Sequence, residues 1–148
     1  HPEWIDFPRK GNDWSYQYAR RQWSLVDTDH LRYHDLFDWD KAMIKLVTEY
    51  QVLASPPANQ LHLDPDKKIL VFERAGLIFA FCFHVSESYF GFEFKVPEKG
   101  KYKIILNSDD KKFGGFSRIE GNPLYSTDKK QQLQIYLPNR TCLIFKKQ

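Results

Sequence analysis

At 148 residues, with 42% hydrophobic and 28% charged side chains, the chain has room for one domain or a domain plus a piece of another, and apolar material for a packed core. Twenty-two Lys and Arg against 19 Asp and Glu leave a formal charge of +3, too small a surplus for nucleic-acid binding when the basic doublets Lys67-Lys68, Lys111-Lys112, Lys129-Lys130 and Lys146-Lys147 are scattered between acids and turns. No apolar run approaches the roughly 20 residues of a bilayer crossing and no basic-then-apolar leader is visible, so the expectation is a cytoplasmic protein with no nucleic-acid or membrane partner.

The charge is uneven along the chain. Residues 1–55 carry 7 basic and 9 acidic groups, and residues 56–148 carry 15 and 10, a contrast that predicts two units. Residues 1–13, with two prolines and Gly11-Asn12, read as an ordered loop. Residues 15–25 and 28–37 read as short helical pieces, with Asp27 as a cap and Leu31, Leu36 and Phe37 turned inward. Asp38 then caps a helix over 39–54, in which Trp39, Met43, Leu46, Val47, Tyr50 and Leu53 recur at three- and four-residue steps along one face. That stripe requires a partner to bury it. The punctuation Ala54-Ser55-Pro56-Pro57-Ala58-Asn59 ends the helical signal and places a domain boundary after residue 55.

Beyond the boundary the period becomes two. Residues 60–64 read as a strand, and Ile69 to Glu73 with Leu77 to Phe83 flank Arg74-Ala75-Gly76 as a hairpin whose second arm is apolar on both faces, as a central strand would be. Phe90, Phe92, Phe94 and Val96 alternate with Gly91, Glu93 and Lys95, and Tyr102, Ile104 and Leu106 with Lys103, Ile105 and Asn107. Leu133, Ile135 and Leu137 precede the turn Pro138-Asn139-Arg140, and Thr141 to Phe145 return as a closing hairpin. Six or seven short strands spaced by turns predict a mainly β chain with an antiparallel β-sandwich at its C-terminal end, preceded by a helical segment.

Candidate chemistry is sparse. Cleaving a glycosidic bond takes two carboxyls flanking it, yet Asp38 and Asp40 sit at a helix start, and Asp64-Pro65-Asp66 and Asp109-Asp110 lie in turns, where Asp serves local hydrogen bonding. His30 and His34 stand one helical turn apart with nothing to complete a zinc set, and Phe113-Gly114-Gly115-Phe116 lacks the Lys-Ser/Thr of a phosphate loop. Cys82 and Cys142 lie in apolar runs and read as buried thiols. No cofactor or metal is expected. Glu3 and Asp6 stand in an aromatic loop with Trp4, Phe7 and Arg9, a mixture suited to holding a sugar and equally to packing a loop on its scaffold. All four tryptophans lie in the first 55 residues, which leaves Tyr89, Tyr102, Tyr125 and Tyr136 as candidate sugar platforms in the strands.

Ordered stretches running almost the whole length carry a resemblance. His1-Pro2-Glu3-Trp4-Ile5-Asp6-Phe7-Pro8-Arg9 and Tyr18-Ala19-Arg20-Arg21-Gln22-Trp23-Ser24-Leu25 lead, followed by Asp40-Lys41-Ala42-Met43, Val71-Phe72-Glu73-Arg74-Ala75-Gly76-Leu77, Phe81-Cys82-Phe83-His84 and Ser88-Tyr89-Phe90. Leu106-Asn107-Ser108-Asp109 and Phe113-Gly114-Gly115-Phe116-Ser117-Arg118-Ile119 complete the set. Together they resemble the C-terminal part of eukaryote-type 1,4-alpha-glucan branching enzymes of the alpha-amylase clan (glycoside hydrolase family 13). The departures are small: Asn107 stands where relatives often have Asp, and Trp14 where they often have a polar residue.

The resemblance implies that residues 1–55 are the end of a catalytic (β/α)8 barrel and residues 56–148 its C-terminal sandwich. It implies retaining transglycosylation for the whole enzyme, with the catalytic carboxylates ahead of residue 1, so that this segment is catalytically silent and contains no catalytic residue. His1, Glu3, Trp4, Asp6 and Arg9 would border the glucan groove or buttress it, and the partners would be an alpha-glucan and the rest of the barrel in cis. A glucan-binding role for the sandwich, or a hydrolase of the same clan as parent, are the alternatives.

Overall fold

Apolar periodicity becomes eight strands and one α-helix in the computed structural model, which describes residues 5–20 and 22–148. The helix is α1 (Tyr33–Glu49). The strands are β1 (Asn59–Asp64), β2 (Ile69–Arg74), β3 (Leu77–Cys82), β4 (Tyr89–Lys95), β5 (Lys101–Asn107), β6 (Leu124–Ser126), β7 (Gln132–Leu137) and β8 (Thr141–Lys147). They form a six-stranded sheet in the order β1-β2-β3-β8-β5-β6 and a separate pair β4-β7, antiparallel throughout. The mainly β, antiparallel architecture read from the sequence is therefore present.

The two central strands are the ones whose sequences are apolar without alternation. β3 and β8 have both faces covered, so each can send side chains into two cores. Ile78, Ala80, Leu143 and Phe145 join Phe94, Leu133, Ile135 and Leu137 between the two sheets. Leu77, Phe79, Cys142 and Ile144 point the other way and meet Leu46 of α1 and Val52 just beyond it. The result is three layers: helix, large sheet, small sheet. Each fully buried Leu, Ile or Phe contributes about 1.5–3 kcal/mol relative to exposure.

The stripe on the helix does not wait for an absent partner. Trp39, Ala42, Leu46, Val47 and Tyr50 pack on the large sheet of this same chain, which supplies the partner the stripe requires, in place of the barrel that the resemblance implies. The helix also starts earlier and stops sooner than 39–54, running Tyr33–Glu49 and giving way to a 3-10 turn at Val52–Ala54. Asp38 lies inside it rather than capping it; Asp35 occupies the first turn, where a carboxylate offsets the exposed amide dipoles, and takes an ion pair from Arg32 at 3.1 Å. The short helices expected over 15–25 and 28–37 reduce to a 3-10 turn at Trp23–Leu25, with 33–37 absorbed into α1, and Asp27 starts no helix. Arg74 at the end of β2 ties down the link from helix to sheet, donating to the Ser55 hydroxyl at 3.2 Å and the Ser55 carbonyl at 3.2 Å.

Three strand expectations change, two of them because extra residues in a strand re-aim side chains and the third because the chain crosses between sheets. A bulge between Ile104 and Leu106 swings Leu106 away from the inter-sheet core to the helix side. A second bulge, at Tyr89/Phe92, coincides with Gly91 at φ 65°, a conformation only glycine adopts cheaply, and turns Phe90 out of the row of Phe92 and Phe94. Phe90 is 80% exposed, forfeiting the roughly 1.5–3 kcal/mol that core burial would contribute. Finally, β7 and β8 are not a closing hairpin: β7 pairs with β4, while β8 inserts between β3 and β5, so Pro138-Asn139-Arg140 carries the chain from one sheet to the other.

Candidate functional site

Asp6 and Arg9 are described and locked together; His1, Glu3 and Trp4 lie outside the described residues. The Arg9 guanidinium donates from Nε to Asp6 Oδ1 at 3.1 Å and from Nη2 to Oδ2 at 3.1 Å, a fork-to-fork pair. Asn12 Nδ2 adds a bond to Asp6 Oδ2 at 3.2 Å, and the Arg9 amide donates to Asn12 Oδ1 at 2.9 Å. The Arg9 hydrogen bond, aided by Asn12, holds the Asp6 carboxyl below its usual range despite the opposing pull of desolvation. Both carboxylate oxygens are thus occupied from within the loop, an arrangement that fixes the backbone from Asp6 to Asn12. In the same N-terminal segment, Ile5, Phe7, Trp14, Tyr16 and Trp23 all expose large apolar surface.

A second polar cluster is one that turn statistics conceal. Asp109, read from the sequence as a turn residue, is 3% exposed. It accepts from the Arg118 amide at 2.8 Å, the Phe116 amide at 3.2 Å, and Arg118 Nε and Nη2 at 3.1 and 2.9 Å. Arg118 in turn donates to the Asn139 carbonyl at 3.0 Å and to its side-chain oxygen, reaching the crossover between the sheets. Burial pulls the Asp109 carboxyl up, but the bonds from the Arg118 side chain and from the two amides outweigh it and leave the group below its ordinary value. Gly115 makes the approach possible: a Cβ there would lie 2.2 Å from the Asp109 carbonyl carbon. The signal in the sequence was the pair of glycines within reach of an Asp and an Arg nine residues apart. The same loop touches the helix, with Arg32 Nη2 donating to the Gly114 carbonyl at 2.7 Å and Trp39 meeting Phe113 edge-on at 5.2 Å. This cluster joins helix, loop and both sheets.

The remaining acids do local work. The Lys67 amide bonds Asp64 Oδ1 at 2.9 Å, holding the β1–β2 turn as expected. His34 pairs with Asp35 at 3.1 Å, and among the described residues no group of three or more His, Cys, Asp or Glu is placed to hold a metal ion. Burial raises the Cys82 thiol, and pushes that of Cys142 up to about 12; both are free and buried. Of the four candidate tyrosine platforms, Tyr102 is buried with its hydroxyl on the Glu98 carbonyl, Tyr125 packs edge-on against Phe145, and Tyr89 bonds the Lys67 carbonyl. Tyr136 alone of these stacks on an exposed ring, Phe90, at 4.1 Å and 9°.

Between α1 and the large sheet lies an open apolar groove of about 670 Å³. Its floor is a run of phenylalanines: Phe72 stacks on Phe79 at 4.9 Å and on Phe81 at 5.9 Å, and Phe81 stacks on Phe83 at 5.5 Å. The helix covers only one end. Phe83 stays 61% exposed and Val85 65%, and on the helix side Met43 and Leu36 also meet solvent. The groove is thus apolar and open to solvent along the end that Phe83 and Val85 border.

Comparison with known proteins agrees with this architecture. The family described as "Alpha amylase, C-terminal all-beta domain" matches residues 61–148, the stretch from β1 through β8. The chain belongs to this family. Over nearly its whole length it is also similar to proteins named 1,4-alpha-glucan-branching enzyme: 46% identical over 153 residues to that of Dictyostelium discoideum, covering 99% of this chain and 23% of the relative, and 44% identical over 157 residues to that of Debaryomyces hansenii, covering 97% and 22%. A chloroplastic/amyloplastic relative from Oryza sativa subsp. japonica is 40% identical, covering 98% of this chain and 19% of its own length. The chain spans about a fifth of the length of these curated relatives. Its residues 61–148 correspond to what the family's description calls a C-terminal all-beta domain.

Proposed function

We propose that this chain is the non-catalytic C-terminal part of a 1,4-alpha-glucan branching enzyme, with residues 1–55 completing a catalytic barrel and residues 56–148 forming the domain that supports it. The enzyme would transfer alpha-glucan segments with retention, through a glycosyl-enzyme formed on carboxylates outside this chain. The reading extends to glycogen biosynthesis in the cytoplasm and to a chain that is silent on its own. His1, Glu3, Trp4, Asp6 and Arg9 would line or buttress the edge of the glucan groove; the mutual occupation of Asp6 and Arg9 favours buttressing for those two.

The observation that carries the supporting role is the half-covered groove beside α1, whose continuous row of phenylalanines, open to solvent at Phe83, fits a protein surface better than a sugar. Amide hydrogen exchange compares the isolated chain with the same residues inside the longer enzyme. Docking predicts slower exchange over Phe81–Val85 and the Leu36–Ile44 side of α1 in the longer enzyme. Equal exchange at these positions in both would reject it.

A further inference from the structure

We propose that the outer face of the β4-β7 pair is an accessory binding surface for a linear alpha-glucan, built on the stacked rings of Phe90 and Tyr136. The backbone goes out of its way to create it. Regular alternation would place Phe90 in the core with Phe92 and Phe94, and the Gly91 bulge turns it to solvent instead. There it lies against Tyr136 at 4.1 Å and nearly parallel, so the pair is held by mutual contact rather than left to rotate freely. Bulges that re-aim a side chain are designed features of a strand, and an 80% exposed phenylalanine is an unusual thing to design without an occupant.

The surroundings select the occupant. Gln134 and Glu93, cross-strand neighbours on the same face, share a hydrogen bond of 2.9 Å and keep further amide and carboxylate capacity open to solvent. Lys95 is exposed on that face too and offsets the charge of Glu93. A flat apolar ring bordered by an uncharged amide, one acid and one base matches a neutral polyol, whose ring C–H face is apolar and whose edge is hydroxylated. A protein partner would ask for the aliphatic and aromatic continuity seen in the groove on the opposite side of the large sheet. The choice of alpha-linked glucose over other sugars rests on the branching-enzyme reading; the platform itself does not.

Calorimetric and NMR titration of the 148-residue chain with maltoheptaose, with cellohexaose as comparison, tests the proposal. The expected result is saturable binding of maltoheptaose with shifts at Phe90, Gln134 and Tyr136, weakened at least about tenfold by Phe90→Ala, a factor equivalent to about 1.4 kcal/mol. Since the Phe90 ring is exposed, an unchanged melting temperature certifies the variant as folded, and Gln134→Ala supplies a second, weaker loss. No saturation in the millimolar range, or binding indifferent to Phe90→Ala, overturns the site; cellohexaose binding as well as maltoheptaose overturns the ligand class. The hydrogen-exchange comparison is independent of these outcomes, so loss of the platform and loss of the branching-enzyme reading are distinguishable.

Discussion

Replacing Asp109 with Ala removes the carboxylate that holds Arg118 and the 113–118 loop and, through Arg118, the crossover at Asn139. Breaking one side of a buried charge pair costs about 3–5 kcal/mol, and because the Arg118 side chain keeps 27% of its surface in water and retains Asn139, the lower end applies, about 3 kcal/mol. Arg118→Ala strands a carboxylate that is 3% exposed with only two backbone amides, a loss of similar size, about 3 kcal/mol. The two residues share their contacts, so the double variant falls short of the summed losses by about 1–3 kcal/mol. For a chain of this size each kcal/mol corresponds to roughly 2–4 °C, so either single variant melts roughly 6–12 °C lower. Urea and thermal unfolding followed by circular dichroism measure all four members of the cycle. The folded-state acidity of Asp109 is shifted below its ordinary 3.8, so its stabilisation is complete above that pH and disappears as pH falls through the folded value. The advantage of the wild type over Asp109→Asn must therefore shrink in acid. A loss under about 1 kcal/mol for Asp109→Ala, or strict additivity in the cycle, would refute the account of this cluster.

Gly115→Ala places a Cβ 2.2 Å from the Asp109 backbone, so the loop must shift; a loss of about 1–3 kcal/mol or more in urea unfolding is expected, against none if the loop is adaptable. Phe145→Ala empties a fully buried site between the sheets and costs about 3–5 kcal/mol by the same assay. With both thiols buried, and that of Cys142 pushed up to about 12, neither cysteine reacts with iodoacetamide in the native chain at pH 8, and both react once it is unfolded; mass spectrometry counts the adducts.

Much of the fold was legible in the residues. The continuous apolar run at Leu77–Cys82 marked a strand covered on both faces, and it is a central strand of the large sheet; the run over 141–145, read as the return arm of a hairpin, is the other central strand. Alternation located β4, β5 and β7, but period two cannot announce a bulge, so the outward turn of Phe90 and the swing of Leu106 were invisible except for the glycine at 91. The pairing of β7 and β8 was misread because a short Pro-Asn-Arg turn looks alike whether the chain folds back or crosses to another sheet; only the full set of partners decides. Asp109 was hidden for a related reason. Aspartate in a turn is ordinarily solvated, and its burial depends on Arg118 and Gly115, contacts that no local pattern reports. The opening loop was legible as an Asp-Arg-aromatic mixture, while the fork between Asp6 and Arg9 needed coordinates to see.

The central claim is that this segment supports glucan chemistry without performing it. Incubating the purified chain with amylose and following the iodine complex measures that directly. The account predicts a spectrum that stays constant over time, whereas a progressive loss of long-wavelength absorbance that Asp109→Asn or Asp6→Asn abolishes would contradict it.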